Sequence, residues 1–186
     1  MRRPATVLAI SAGALVLGLT GSPASAMGTG DPYADMQVGV TYTVYKPADT
    51  LGLRLARQAI GQPCAPGGGE ERIGAQYGTR GGRNFSVNEG RPICADIGGD
   101  GKTVATYRVG ATRARLEVYC DPARPAQWKQ CDANDITRYG GNLSFRLPAA
   151  PGLRPTDVVL ETFGARPLSA QDLLRVADSL YAVAGK

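Results

Sequence analysis

Histidine is absent from the chain, and that absence removes more chemistry than any motif present adds. Without imidazole there is no Ser-His-Asp or Cys-His activation of a nucleophile, no H-E-x-x-H zinc site and no His general base near neutral pH. The cysteines contain no C-x-x-C pair, and no His is available to complete a ligand set around them, so a zinc reading fails. No charged residue stands between Arg3 and Asp31. No Cys precedes Cys64, so the leader is not that of a lipoprotein.

What is present at the start is an address. Met1-Arg2-Arg3 is followed by the uncharged run TVLAISAGALVLGLT, a break at Gly21-Ser22-Pro23, and then Ala24-Ser25-Ala26. This order is that of a secretory signal peptide with an A-x-A site, cut between Ala26 and Met27. The apolar run is shorter than the ~20 residues a spanning helix needs, so no membrane span is expected after processing. The pattern places the chain outside the cytoplasm as a secreted protein. Arg2-Arg3 lacks the flanking pattern of a twin-arginine signal, which favours the general secretory route.

Removing residues 1–26 takes away two Arg, so Lys+Arg falls from 21 to 19 against 16 Asp+Glu, and the net charge falls from +5 to +3. That is too mild to argue for nucleic acid. The division expected is a signal peptide at 1–26, a flexible N-terminus at 27–35, and one α+β domain at 36–186. In an oxidising space the even set Cys64, Cys94, Cys120 and Cys131 reads as two disulfides, for which three pairings exist. Cys120–Cys131 is favoured because it closes an excursion containing Asp121-Pro122 and Arg124-Pro125; Cys64–Cys94 then follows by elimination.

Period-two alternation marks VGVTYTVY (38–45), ERIGAQYG and NFSVNEG around Thr79-Arg80-Gly81-Gly82, KTVATYRV and TRARLEVYC around Gly110, LSFRLP, and DVVLETFG as strands. A short strand at Ile93 to Ile97 is also expected. LGLRLARQAI (51–60) alternates too, and the residues leave strand and helix both open. In TRARLEV, Ala114, Leu116 and Val118 face inward while Arg113, Arg115 and Glu117 face water. At the end, Ser169 and Asp172 suit a helix start, and Leu173, Val176, Ala177, Leu180, Val183 and Ala184 recur at helical spacing. The fold expected is α+β: a curved antiparallel sheet of about seven to nine strands covered by a C-terminal helix.

Candidate sites are few. Asp96-Ile97-Gly98-Gly99-Asp100-Gly101 opens like a calcium loop but has Tyr107 where a bidentate Glu is needed, and reads as a turn. Gly101-Lys102-Thr103 lacks the earlier Gly of a P-loop. Asp132, Asn134 and Asp135 beside Cys131 read as loop-forming residues rather than cation ligands. Arg108, Arg113 and Arg115, near Tyr107 and Tyr119, offer a surface for an anionic cell-wall polymer or lipid headgroup, against the plainer reading of a solvated strand face. No catalytic residue, metal site or cofactor is expected.

TDVVLETFGARPLSAQDLLRVADSLYAV (156–183) resembles the close of small bacterial extracytoplasmic sensor domains, of the lipoprotein-carrier-like and anti-sigma-regulator sensor type. Leu168, Ser169, Leu173, Ala177, Ser179 and Leu180 carry the likeness, and YRVGATRARLEVYC is similar to a strand, Gly-Ala hinge and strand of the same group. The resemblance implies a sensing or binding role and no catalytic residue. The function expected is therefore a secreted, non-catalytic binding or sensing module for an apolar or cell-envelope ligand, with a lipid or cell-wall partner held between helix and sheet. The alternatives are a carboxylate-dependent glycoside hydrolase and a structural or inhibitory protein acting through its surface. The exported product is expected to begin at Met27, which its intact mass tests; retention of residues 1–26 would make the leader an anchor.

Overall fold

The computed structural model describes residues 30–61, 72–90 and 101–184. In chain order the elements are α1 (Pro32–Gln37), β1 (Tyr45–Pro47), β2 (Leu55–Gly61), β3 (Arg72–Gly78), β4 (Arg83–Gly90), β5 (Lys102–Val109) and β6 (Thr112–Val118). Then come α2 (Pro125–Gln130), a 3₁₀ turn (Ala133–Asp135), α3 (Ile136–Tyr139), β7 (Gly141–Leu147), β8 (Thr156–Thr162), β9 (Arg166–Pro167), α4 (Ala170–Asp178) and β10 (Leu180–Ala182). The main sheet has eight strands. Seven run β2-β3-β4-β8-β7-β6-β5, antiparallel throughout, and β9 joins β4 in parallel. β1 and β10 form a separate two-stranded ribbon. The main sheet is open, with β2 and β5 at its edges.

The β3–β4 and β5–β6 hairpins follow the alternation. Gly78 has φ +75, and a Cβ there would lie 2.1 Å from the Arg83 carbonyl oxygen, so only glycine lets the first hairpin close. On β6, Ala114, Leu116 and Val118 are buried while Arg113 and Arg115 are exposed. The inward rows of β3, β4, β8, β7 and β6 bring Ile73, Phe85, Leu160, Leu143 and Leu116 into one core with Tyr33 of α1 and Leu173 and Val176 of α4. Tyr77 and Phe85, opposite each other across the first hairpin, stack at 4.7 Å. Segment 51–60 is resolved as a strand from Leu55 on, paired with β3; Leu51 instead sits in a turn with φ 55.

Within the N-terminal stretch 27–35, residues 30–35 are described, and from Pro32 a helix forms: Asp31 Oδ1 accepts the Tyr33 N–H at 3.0 Å, proline takes the first turn, and Tyr33 is buried. Two expectations are corrected. Residues 38–45 are not one strand, and only Tyr45 joins β1. The Gln37 side chain makes the bonds that a neighbouring strand would make, its Nε2 donating to the Tyr42 carbonyl at 2.9 Å and its Oε1 accepting the Val44 N–H at 2.7 Å. On the other side the segment is tied to residues 150–156: Thr43 N–H donates to the Arg154 carbonyl, and Thr156 Oγ1 donates to the Thr43 carbonyl. Residues 42–45 are therefore buried, while Val38, Gly39 and Thr41 are exposed. The last helix, finally, stops at Asp178, where Ser179 Oγ donates back to the Val176 carbonyl at 2.8 Å, and Leu180–Ala182 pair with β1. Val183 is buried as its spacing predicts, but beyond a strand rather than on a helix face.

Of the two expected disulfides, Cys120–Cys131 is formed, with Cα atoms 6.3 Å apart. Cys64 and Cys94 lie outside the described residues, as do Ala26, Met27 and the stretch 93–97. The closed loop holds α2, and Lys102 Nζ of β5 donates to the carbonyls of Trp128, Lys129 and Cys131 at 2.7, 3.1 and 3.1 Å, capping that helix with a cation. Opening the bond by Cys120→Ala with Cys131→Ala is expected to cost about 2–3 kcal/mol from the released loop, read as a lower denaturant midpoint.

One acid sits inside the core. Glu89 of β4 is fully buried, and its two carboxyl oxygens share the Tyr45 N–H at 3.2 and 3.1 Å. Burial holds its pKa well above the carboxylate range, against a smaller opposing pull from that N–H. Between the unfolded and folded pKa values the folded chain binds the extra proton, so this group makes stability fall as pH rises from about 4.3. Glu89→Gln is expected to raise the urea midpoint near about pH 8 and to flatten its decline from about pH 5; an unchanged decline would show that the acid is not buried.

Candidate functional site

On the core side, Leu173, Val176 and Ala177 of α4 fill the space against the sheet, each 2% exposed or less. The expected ligand space beneath the helix is thus occupied by side chains. A cleft of about 570 Å³ opens instead at the end of this layer, between the last turn of α4 and the β5–β6 turn. Val109, Ala111, Leu147, Pro148 and Leu180 give it apolar walls. Tyr45, also in the wall, donates its hydroxyl to the Pro148 carbonyl at 2.5 Å, and burial, aided by Glu89, raises its pKa so that it remains a donor. At the rim Arg146 grips Asp157 through two bonds of 2.6 and 3.0 Å.

The opposite face of the sheet is polar. The register sets Arg57, Gln76, Ser86, Glu161, Asn142 and Glu117 side by side, one from each of six adjacent strands. Each step between strands is ~4.8 Å, so Glu161 and Glu117 lie two steps, ~9.6 Å, apart along the row. Tyr119 donates its hydroxyl to Glu161 Oε1 at 2.7 Å; burial first, and then that carboxylate, hold the Tyr119 pKa far above its ordinary value. Glu117 is engaged by Arg115 Nε at 3.1 Å, Thr103 at 3.3 Å and Asn142 at 3.3 Å. Over the β2, β3, β4 and β8 part of this face lies a groove of about 450 Å³; Glu161 lines it and Glu117 does not.

The residues singled out in the sequence are only partly brought together. Arg108 stands opposite Arg113 at the β5 edge, both exposed, while Arg115 is paired with Glu117. Tyr107 pairs with Ala114 and belongs to the core side, away from those Arg, and Tyr119 serves Glu161. Asp132 and Asp135 form a reciprocal cap: Asp132 Oδ1 accepts the Asn134 N–H at 2.7 Å and Asp135 Oδ2 accepts the Asp132 N–H at 3.0 Å. Asp135 lies close to Cys120 and Cys131, but their sulfurs are bonded to each other and are not thiolate ligands. Asp96 and Asp100 lie outside the described residues, and Lys102 is occupied with carbonyls. Asn84-Phe85-Ser86 and Asn142-Leu143-Ser144 have the N-x-S form of a glycosylation sequon, and both Asn84 and Asn142 are buried.

Arg57, Arg72 and Arg80, which flank the groove, are 23 residues apart at most and carry no motif. Only strand register makes them neighbours. No protein-family model, curated protein or solved structure matches the chain.

Proposed function

We propose that this chain is a secreted, non-catalytic binding module that takes an apolar or amphipathic ligand of the cell envelope in the cleft between the end of α4 and the β5–β6 turn. The observation that carries the reading is the cleft itself: about 570 Å³ of space walled by Val109, Ala111, Leu147, Pro148 and Leu180, next to a solid core. That volume lies within the ~300–1,000 Å³ range of small-molecule pockets. An acyl chain gains ~0.8 kcal/mol for each methylene it buries there. The Arg146–Asp157 pair at the rim suits the polar end of such a ligand, since its guanidinium remains largely exposed.

Hydrolysis of a glycoside by two carboxylates is the less supported reading. Glu117 and Glu161 stand in one row two strands apart, but only Glu161 faces the groove, and Glu117 is committed to three neighbours. The leader and the resemblance to sensor domains support export and a binding role.

Ala111 is exposed at the cleft mouth, so Ala111→Trp puts bulk into the cleft without touching the core. Wild-type protein is expected to bind dodecanoate, measured by displacement of a fluorescent fatty acid, and the variant to bind it at least about tenfold more weakly (about 1.4 kcal/mol) with an unchanged Tm. Absent binding in the wild type, or equal binding in both, would reject the cleft as the site.

A further inference from the structure

The polar groove on the outer face is a second feature, independent of the apolar cleft. We infer that it binds an anionic, hydroxyl-rich chain: a glycan or polyol polymer bearing carboxylate or phosphate groups. Its floor is made by an absence of side chains. Gly74 lies in the middle of β3, hydrogen-bonded between β2 and β4, with Ala59 beside it in register. A Cβ at Gly74 would meet only Asn88 Oδ1, at 3.5 Å, which is ordinary contact, and the backbone there is not left-handed. The fold therefore does not require glycine at this position. A glycine inside a strand weakens it and marks a place where a ligand approaches the backbone closely; what Gly74 contributes is depth.

The walls supply charge. Arg57, Arg72 and Arg80 line the groove, and none of them is in an ion pair among the described residues, whereas Arg83, Arg115, Arg124, Arg146 and Arg175 all are. Arg80 rests over the Phe163 ring at 5.7 Å, which leaves its planar fork of donors free at the edges. Guanidinium groups so placed match carboxylate or phosphate in bidentate fashion.

Between the arginines the floor is hydrogen-bonding and carries a single carboxylate. Asn88 Nδ2 donates to Ser86 Oγ at 3.0 Å, Gln76 stands one strand away, and Glu161 presents the one carboxylate among the lining residues, held by Tyr119. Amides, a hydroxyl and an acceptor carboxylate are the partners of ligand hydroxyl groups. A carboxylate at the centre of the row opposes a dense polyanion such as single-stranded DNA, and one Phe is too little for base stacking along a strand. β2 is the sheet edge, and no described element closes the groove beyond it, so among the described residues there is room for a chain longer than the groove.

The test uses the processed chain and calorimetric titration with a galacturonate oligomer, its methyl ester and poly(glycerol phosphate). The acid oligomer or the phosphate polymer is expected to bind with an affinity that falls as salt rises, the tighter of the two naming the source, and the methyl ester to bind at least about tenfold more weakly. The triple variant Arg57→Gln, Arg72→Gln, Arg80→Gln and, separately, Gly74→Tyr, which fills the floor, are each expected to lose at least about tenfold in affinity. Gly74→Tyr is expected to keep or raise the Tm, since it removes a strand-interior glycine. Dodecanoate binding should be unchanged in both variants, so failure here is separable from failure of the apolar cleft. No binding by either anionic polymer, equal binding of the methyl ester, an unaffected Gly74→Tyr variant, or tighter binding of oligothymidine would each overturn the inference.

Discussion

The antiparallel ladder that joins β4, β8 and β7 is the constraint from which both surfaces of this protein follow. Because side chains alternate along a strand, one register places Phe85, Val87, Leu160 and Leu143 on one face and Ser86, Glu161 and Asn142 on the other. A slip of one residue would exchange these sets, burying Glu161 and exposing Leu160. Close approach locks the register further. A Cβ at Gly141 would lie 2.2 Å from the Glu117 carbonyl oxygen, so β7 and β6 meet at that point only because a side chain is missing.

The layer that covers the apolar face is held by polar groups as much as by leucines. Gln37 sews residues 42–44 in place, Tyr33 shares a 2.8 Å hydroxyl contact with Tyr77, and Glu89 takes the Tyr45 N–H within the core. A buried polar group costs free energy unless it is bonded; Gln37 finds its partners five and seven residues on, while Tyr33 and Glu89 find theirs 44 residues away. Their effect is to bring α1 and β1 down onto β3 and β4. β1 in turn offers the edge on which Leu180–Ala182 settle, and that strand forms one side of the apolar cleft.

The two faces present different chemistry for the same reason. On the covered side the cleft is apolar because it is the unfilled end of a hydrophobic layer. On the side away from the core the groove is polar because the register lines it with arginine, amide, hydroxyl and carboxylate side chains, and its depth comes from Gly74 and Ala59 beside walls of arginine. The disulfide Cys120–Cys131 and the Lys102 cap stiffen the excursion between β6 and β7, which keeps Tyr119 against Glu161.

Local pattern was legible where it alone decides structure. Alternation in ERIGAQYG, NFSVNEG, KTVATYRV, TRARLEV, LSFRLP and DVVLETFG marked strands that form, Ser169 marked a helix start, and the spacing of Cys120 and Cys131 marked a disulfide that forms. Pattern failed where a side chain or strand edge outside the segment outweighs local preference. Residues 38–45 alternate like a strand, yet a Gln37 side chain and the Arg154 carbonyl occupy their backbone groups; Leu180 continues a helical stripe, yet the free edge of β1 draws it into a ribbon. The short helix at Pro32 carried its signal in Asp31-Pro32, a cap followed by a first-turn proline. The groove had no such signal, because Arg57, Arg72, Arg80 and Glu161 belong to different elements and meet only through register. Sequence by itself determined which residues pair along a hairpin and which side of a strand is apolar, since both depend on neighbours one or two positions away. Which strands lie side by side, what covers each face and where space is left open were decided by the tertiary structure, because those depend on contacts between residues far apart in the chain.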